Sequence, residues 1–172
     1  FIHTFSKYEA TVSTPATTIE KEKSYRLPEG KTVHVLLAED NAINAMLAKQ
    51  VLENGGYTVT HVLNGALAVE AVQKQEFDVV LMDIQMPILN GIAATEKIRT
   101  LKGPVSKIPV VAMTAHTLYG EMQNCYKAGM TGYVSKPFKK ENLFAAILES
   151  IEIQNNNKKL SNTIDDMITY TS

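Results

Sequence analysis

The chain has 172 residues, of which 45% are hydrophobic and 20% are charged, and its formal net charge is -1. These values are typical of one globular domain with some flanking chain, and they exclude a general attraction for nucleic acid or anionic lipid. The single cysteine, Cys125, excludes an internal disulfide and is expected to pack as a small apolar residue rather than to act as a catalytic thiol. No apolar run reaches the roughly 20 residues of a membrane helix, so we expect this fragment to be cytoplasmic and to make no membrane contact. A parent protein anchored in the inner membrane is compatible with that expectation.

Three zones follow one another along the chain. Residues 1–31 are predicted to be the end of a preceding domain plus a flexible linker, because the strand-like FIHTF at 1–5 leads into a stretch rich in Ser, Thr, Lys and Glu. Residues 32–152 are dense and regular and form the predicted domain. Residues 153–172 contain the polar break NNNKK and are predicted to be a polar C-terminal tail, with one or two further helical turns.

The dense zone alternates short apolar runs with stretches of helical spacing. Strands are predicted at 33–38, 57–62, 77–83, 108–114 and 132–135, and helices at 42–56, 65–75, 91–101, 118–129 and 140–151. In the first helix, one apolar stripe contains Ile43, Met46, Leu47 and Val51. Regular alternation of strands and helices predicts an α/β fold with a parallel sheet that is covered by helices on both faces.

Reactive side chains gather where these strands end. Glu39 and Asp40 follow the first strand and Asp83 ends the third; Thr114 and Lys136 come at the ends of the fourth and fifth. In an open parallel sheet the functional crevice lies beyond the carboxyl ends of the strands. Crowded carboxylates repel one another unless a cation lies between them, and oxygen ligands suit Mg²⁺. An aspartate beside Mg²⁺ and a lysine can act as a nucleophile toward phosphorus.

Simpler explanations exist for each residue taken singly. The segment 39–41, Glu-Asp-Asn, could cap the following helix, and Lys136-Pro137 could be an ordinary turn. A phosphatase of the haloacid dehalogenase type would also use a strand-end aspartate. That class requires a second acid two residues later, in a D-x-D pattern, and this chain has Gln85 at that position. A nucleotide-binding module would want a glycine-rich turn after the first strand, where two acids stand instead.

The segment 33–151 resembles a response-regulator receiver domain of two-component phosphorelay signalling. The resemblance is carried by VLLAEDN, VVLMDIQMPILNG, PVVAMTA and GYVSKPF, which match the signatures of that family in order and spacing. It implies a flavodoxin-like (CheY-like) five-stranded parallel sheet of order 2-1-3-4-5, with five helices on two faces.

The resemblance also implies roles for the strand-end residues. Asp83 would accept the phosphoryl group, and Lys136 would contact it. Mg²⁺ would be held by Asp83, by Asp40 with Glu39 beside it, and by the backbone carbonyl of Gln85. The conformational switch would consist of Thr114, which moves toward the phosphate, and Tyr133, which swings inward. Tyr133 could also be an ordinary half-buried strand aromatic, but its offset before Lys136 favours the switch. Pro137 would follow a cis peptide. Gln85 and His116 would tune the lifetime of the phosphate, although His116 is more simply a solvated loop histidine.

Partners follow from the same resemblance. The donor would be a histidine kinase or a histidine phosphotransfer protein, and the output would pass to a downstream protein through the face of helix 4, strand 5 and helix 5. Apolar parts of this face, or else parts of the core, would be Tyr119, Met122, Phe138 and Phe144. The amino acids in the motifs AEDNAIN and DIQMP, together with the FIHTF segment, favour a hybrid histidine kinase as the parent. A stand-alone regulator and a degenerate receiver that is never phosphorylated are the alternatives. No basic helix-turn-helix module follows residue 151, so direct binding to nucleic acid is not expected.

Overall fold

The computed structural model describes residues 27, 30–115 and 119–169, with side chains described as far as Asn162. The FIHTF segment and His116 lie outside the described residues. The elements are β1 (His34–Ala38), α1 (Ala42–Asn54), β2 (Thr58–Val62), α2 (Gly65–Lys74), β3 (Val79–Asp83), α3 (Gly91–Thr100), a short 3-10 helix (Pro104–Lys107), β4 (Val110–Thr114), α4 (Tyr119–Lys127), β5 (Gly132–Ser135) and α5 (Lys140–Thr169).

The five strands form one sheet of order β2-β1-β3-β4-β5, and every neighbouring pair is parallel. This confirms the predicted order. Every residue of β3 and of β4 is buried, because helices cover both faces of the sheet at its centre. One core cluster contains Leu52 of α1 and Ile147 of α5, and the other contains Ala68 of α2, Ile98 of α3 and Cys125 of α4. Cys125 is therefore a buried core residue, as expected.

Helix α1 packs on the sheet through small residues. Its buried positions are Ala45, Ala48 and Leu52. Most of the apolar stripe seen in the sequence faces solvent, with exposed fractions of 65% for Ile43 and 62% for Met46. Val51, at the end of the stripe, is half-buried and packs against the core.

Helix α5 continues far beyond the end that the sequence predicted. It runs from Lys140 to Thr169 and includes the NNNKK segment, where the sequence pattern predicts that the helix is interrupted. Because residues 140–169 contain neither proline nor glycine, no residue that terminates a helix interrupts the segment. Within the described ranges, every helix is too short or too polar to span a bilayer.

Candidate functional site

The carboxyl ends of the strands bring together the acids that the sequence predicted. Glu39, Asp40 and Asp83 each present a carboxylate oxygen, and these oxygens lie within 4.8 Å of one another. Glu39 and Asp83 are buried, with exposed fractions of 1% and 6%, whereas Asp40 is exposed at the rim. The result is an oxygen-lined pocket that opens on the side of Asp40, a donor set that suits a hard divalent cation such as Mg²⁺.

Lys136 reaches into this pocket from the residue after β5. Its Nζ lies 2.5 Å from Oε2 of Glu39 and 2.9 Å from Oδ2 of Asp83. Only 15% of its side chain is exposed, so the ammonium joins two largely desolvated carboxylates. Two negative groups and one positive group therefore share the same small volume, and Asp40 adds a third negative group at its mouth.

The local environment shifts the pKa values of two of these groups. Burial raises the pKa of Asp83, and this effect outweighs the lowering by the hydrogen bond from Lys136. Burial lowers the pKa of Lys136, but its hydrogen bonds to Asp83 and Glu39 more than reverse this, and the pKa is raised. Lys136 is therefore an ammonium group at neutral pH, and the ionised form of Asp83 loses more by burial than its contact with Lys136 restores.

Glu39 is oriented by groups that the sequence did not point to. Its Oε1 accepts hydrogen bonds from the backbone N–H of Asn41 at 3.3 Å and from Nδ2 of Asn44 at 3.1 Å. Nε2 of His61, on β2, lies 2.8 Å from the backbone oxygen of Glu39. Asn44 lies in the first turn of α1, five positions after Glu39, and this short spacing is the one sequence feature that could have indicated the contact. No sequence feature indicates the contact of His61, because that residue belongs to a different strand.

The cap of α1 is Asn41 and not one of the acids. The Oδ1 of Asn41 accepts from the backbone N–H of Ile43 at 3.0 Å and from that of Asn44 at 3.1 Å. This satisfies two of the donors that a helix N-terminus leaves without partners. The carboxylates of Glu39 and Asp40 are consequently not needed as caps and are available at the pocket.

The loop after β3 is held close against the strand that carries Asp83. The backbone N–H of Gly91 donates to the carbonyl of Ile84 at 3.0 Å, and the N–H of Gln85 donates to Oδ1 of Asp83 at 3.3 Å. A Cβ at position 91 would lie 2.1 Å from the carbonyl oxygen of Asp83, a distance that only glycine avoids. Gln85 itself is exposed beside the pocket. The glycine at 91 is a positioning residue that the sequence analysis did not single out.

Thr114 ends β4 beside the pocket, and Tyr133 lies in β5, two positions before the end of that strand. Thr114 is buried, and its carbonyl accepts the backbone N–H of Lys136 at 2.7 Å. Both residues line a small cavity of about 10 Å³, next to Met122 and Cys125 of α4. The side chain of Tyr133 is 40% exposed and therefore points at least partly outward. The Lys136–Pro137 peptide is cis, as predicted.

The four candidate residues of the output face differ in their surroundings. Tyr119 is 79% exposed, and Met122 and Phe138 are half-buried. Phe144 is a core residue, since it is 5% exposed and its ring stacks on Tyr57 with centroids 5.3 Å apart. Tyr119 is therefore a surface residue, Met122 and Phe138 are partly accessible, and Phe144 belongs to the core.

Comparison with known proteins agrees with this arrangement. The family model described as "Response regulator receiver domain" matches residues 35–148. The chain belongs to the response regulator receiver family. The receiver domain of a sensor histidine kinase from Pseudomonas aeruginosa, with a magnesium ion coordinated in its active-site cleft, has a TM-score of 0.66 and 37% identity and covers 71% of this chain and 99% of its own. The chemotaxis protein CheY4 of Vibrio cholerae has a TM-score of 0.65 and 26% identity, with 70% of this chain and 99% of that chain covered.

Relatives of this receiver domain are named as a sensor protein and as a histidine kinase. "Sensor protein GacS" of Pseudomonas syringae is 40% identical over 117 residues, or 67% of this chain and 13% of the relative. "Probable histidine kinase 1" of Oryza sativa is 32% identical over 152 residues, or 71% of this chain and 16% of the relative. This chain thus spans about one seventh of the length of these relatives. It contains a receiver domain homologous to those of hybrid histidine kinases, and its acidic pocket is compatible with a Mg²⁺-dependent phosphoacceptor role.

Proposed function

We propose that this receiver domain takes a phosphoryl group from a phosphohistidine onto Asp83 in a Mg²⁺-dependent reaction. The observation that carries the proposal is the contact of Lys136 Nζ with both Asp83 and Glu39, at an edge where a third carboxylate lies within 4.8 Å. Three acids and one ammonium thus converge from three strand ends on one small volume. They match the needs of a transferring phosphoryl group, which must be neutralised and aligned.

Each side chain has a part in the reaction. An Oδ of Asp83 attacks phosphorus while the bond from phosphorus to the donor's imidazole nitrogen breaks, and the leaving nitrogen takes up a proton. Glu39, Asp40, Asp83 and the backbone carbonyl of Gln85 would hold Mg²⁺, which offsets the charge on the phosphoryl oxygens. Lys136 is an ammonium group already in contact with Asp83, so it can follow that charge onto the phosphate.

The cavity beside Thr114 supports a switch role for Tyr133. Thr114 and Tyr133 both line it, and it has room for about one water molecule. A phenol ring that swings inward needs more space than this, so Met122 and the rest of α4 must move. Glu121 also lines the cavity, and its buried Oε2 lacks a hydrogen-bond partner among the described residues, so it is a candidate acceptor for the incoming hydroxyl. Phosphorylation would in this way alter the face of α4, β5 and α5 that meets a downstream protein.

We also infer that the parent is a hybrid histidine kinase, with residues 1–31 as the end of a preceding domain plus linker, 32–152 as the receiver and 153–172 as a tail. The names of the relatives support this origin. The donor would then be a kinase or a phosphotransfer protein in the cytoplasm. The donor would dock on the exposed part of the α1 stripe of the receiver. Ile43, Met46 and Leu47 follow closely after the acidic segment and leave apolar surface beside the pocket.

Phosphorylation by acetyl phosphate with Mg²⁺, followed by intact mass measurement, tests the proposal. The wild-type chain should gain one phosphoryl group, and chelation of Mg²⁺ should prevent the gain. Asp83→Asn should abolish it, whereas Asp78→Asn, a matched change of an exposed aspartate before β3, should leave it intact. If Asp83→Asn is still modified, the nucleophile is another residue. If the wild type is never modified, the domain is a degenerate receiver that acts by binding alone. With beryllofluoride and Mg²⁺, the amide resonances around Tyr133 should shift.

A further inference from the structure

The distal half of α5 is largely exposed to solvent. The helix has 30 residues, which is about 45 Å at 1.5 Å per residue. Its first turns pack on the sheet through Leu143 and Ile147, but every residue from 155 to 162 is exposed. Three consecutive asparagines, at 155–157, are poor helix formers. Helices in water are stabilised mainly by packing, so a helix of this composition indicates a partner for its free half.

The exposed half carries a heptad pattern. Ile153 and Leu160 are seven residues apart, and their exposed fractions are 50% and 62%. Positions 157 and 164 lie four residues after each of them, and position 167 continues the series, with asparagine, isoleucine and methionine respectively. Spacings that alternate between three and four residues form the seam of a coiled coil. In heptad letters, 153, 160 and 167 are d positions, and 157 and 164 are a positions.

The charges along α5 favour an identical partner. Gln154, Asn156 and Ser161 occupy the e and g positions that flank the seam, and all are uncharged. Two copies can therefore approach without contact between like charges. The charged residues of this half lie at the outer b and c positions, at 158–159 and 165–166. A partner helix with a charged seam would find no complementary charge here.

Asn157 sets the direction of the pairing. In a parallel pair it meets the same residue of the other copy, and the two side-chain amides can hydrogen-bond to each other. In an antiparallel pair an a position faces a d position, so Asn157 would meet isoleucine, leucine or methionine of the other copy, and a buried amide would be left without a partner. A single asparagine at an a position is a known determinant of register and of the two-stranded state.

We propose that residues 153–169 form a parallel two-stranded coiled coil with a second copy of this chain. The seam is short, so the association should be in the micromolar range and should depend on concentration. This inference does not depend on the phosphoacceptor proposal, because neither Mg²⁺ nor phosphate takes part in it.

Sedimentation of the full 172-residue chain, from low to high micromolar concentration, tests the proposal. The wild type should pass from monomer to dimer, and Leu160→Glu should keep it monomeric. Asn162→Glu introduces the same charge at an exposed f position and should leave the dimer intact. A wild type that is monomeric throughout, or a dimer that survives Leu160→Glu, overturns the proposal.

Oxidative cross-linking tests the direction separately. Parallel pairing in register brings position 160 opposite itself, so Leu160→Cys should form a disulfide-linked dimer, whereas Asn162→Cys should form far less. Cys125 is buried and should not take part. A dimer in which Leu160→Cys cross-links no better than Asn162→Cys refutes the parallel arrangement. Substitution of Asn157 by leucine should tighten the association and should permit states larger than a dimer.

Discussion

Replacement of Lys136 by methionine should destabilise the domain strongly, and the loss should depend on pH and Mg²⁺. The ammonium of Lys136 contacts Glu39 at 2.5 Å and Asp83 at 2.9 Å, and the exposed fractions of the two acidic side chains are 2% and 9%. Without the ammonium, two desolvated carboxylates face each other with no compensating charge. Loss of one member of a buried ion pair typically costs about 3–5 kcal/mol.

The distances support a magnitude in that range. Carboxylate oxygens 4.8 Å apart repel by about 3 kcal/mol at an effective dielectric constant of about 20. Burial already raises the pKa of Asp83, and removal of Lys136 takes away the hydrogen bond that lowers it. A group whose folded pKa is raised favours folding while it is protonated, and that contribution is lost as the pH rises through the folded pKa. The defect of Lys136→Met should therefore be largest at neutral pH and should shrink on acidification. Mg²⁺ should also reduce it.

Urea unfolding monitored by circular dichroism measures this loss. The free energy of unfolding should fall by about 3 kcal/mol at pH 7 without divalent cation. Lys139→Met is the matched control, because Lys139 is exposed three positions further on, and its effect should be small. Equal stability of the two variants at neutral pH would refute the view that Lys136 holds the acids together. A defect of the same size at mildly acidic pH would show that lost packing, and not charge, is its cause.

Three further predictions concern the positions around the site and the core. Asp83→Asn should raise the melting temperature when divalent cation is absent, because the raised pKa of Asp83 means that its ionisation opposes folding; the gain over wild type should grow as the pH rises above the ordinary value of 3.8. Gly91→Ala should lower the free energy of unfolding by about 3 kcal/mol or more, because its Cβ would lie 2.1 Å from a backbone oxygen. Gly120→Ala in α4 is the control: no atom lies within 4 Å of its Cβ, so it should be neutral or stabilising by up to about 1 kcal/mol. Tyr57→Phe should stabilise by about 1 kcal/mol in urea unfolding, because the buried hydroxyl, whose pKa burial raises to about 12, has no hydrogen-bond partner among the described residues; a large loss of stability would contradict this.

The elements were accessible from local pattern, whereas the sheet order came from the resemblance to the receiver family. Apolar runs such as VVLMD predicted β3, and helical spacing predicted where each helix begins, with differences of no more than a few residues. Strands buried on both faces must be apolar throughout, which makes them easy to recognise. Because parallel strands end at one edge, the positions of Glu39, Asp83 and Lys136 along the chain already implied that their side chains would meet.

Local pattern did not reveal which neighbour each surface would meet. Periodicity identifies a stripe on α1, but the sheet packs against Ala45 and Ala48 because small residues allow the helix to approach closely. Ile43, Met46 and Leu47 of the stripe are left in solvent. The polar run in α5 resembles a break until its freedom from proline and glycine is weighed against its composition. Glu39 and Lys136 are separated by 97 residues in the sequence, and the packing of the whole sheet brings them into contact. Amino-acid spacing records which side chains share a face, whereas the partner of that face depends on volumes and charges contributed by distant parts of the chain.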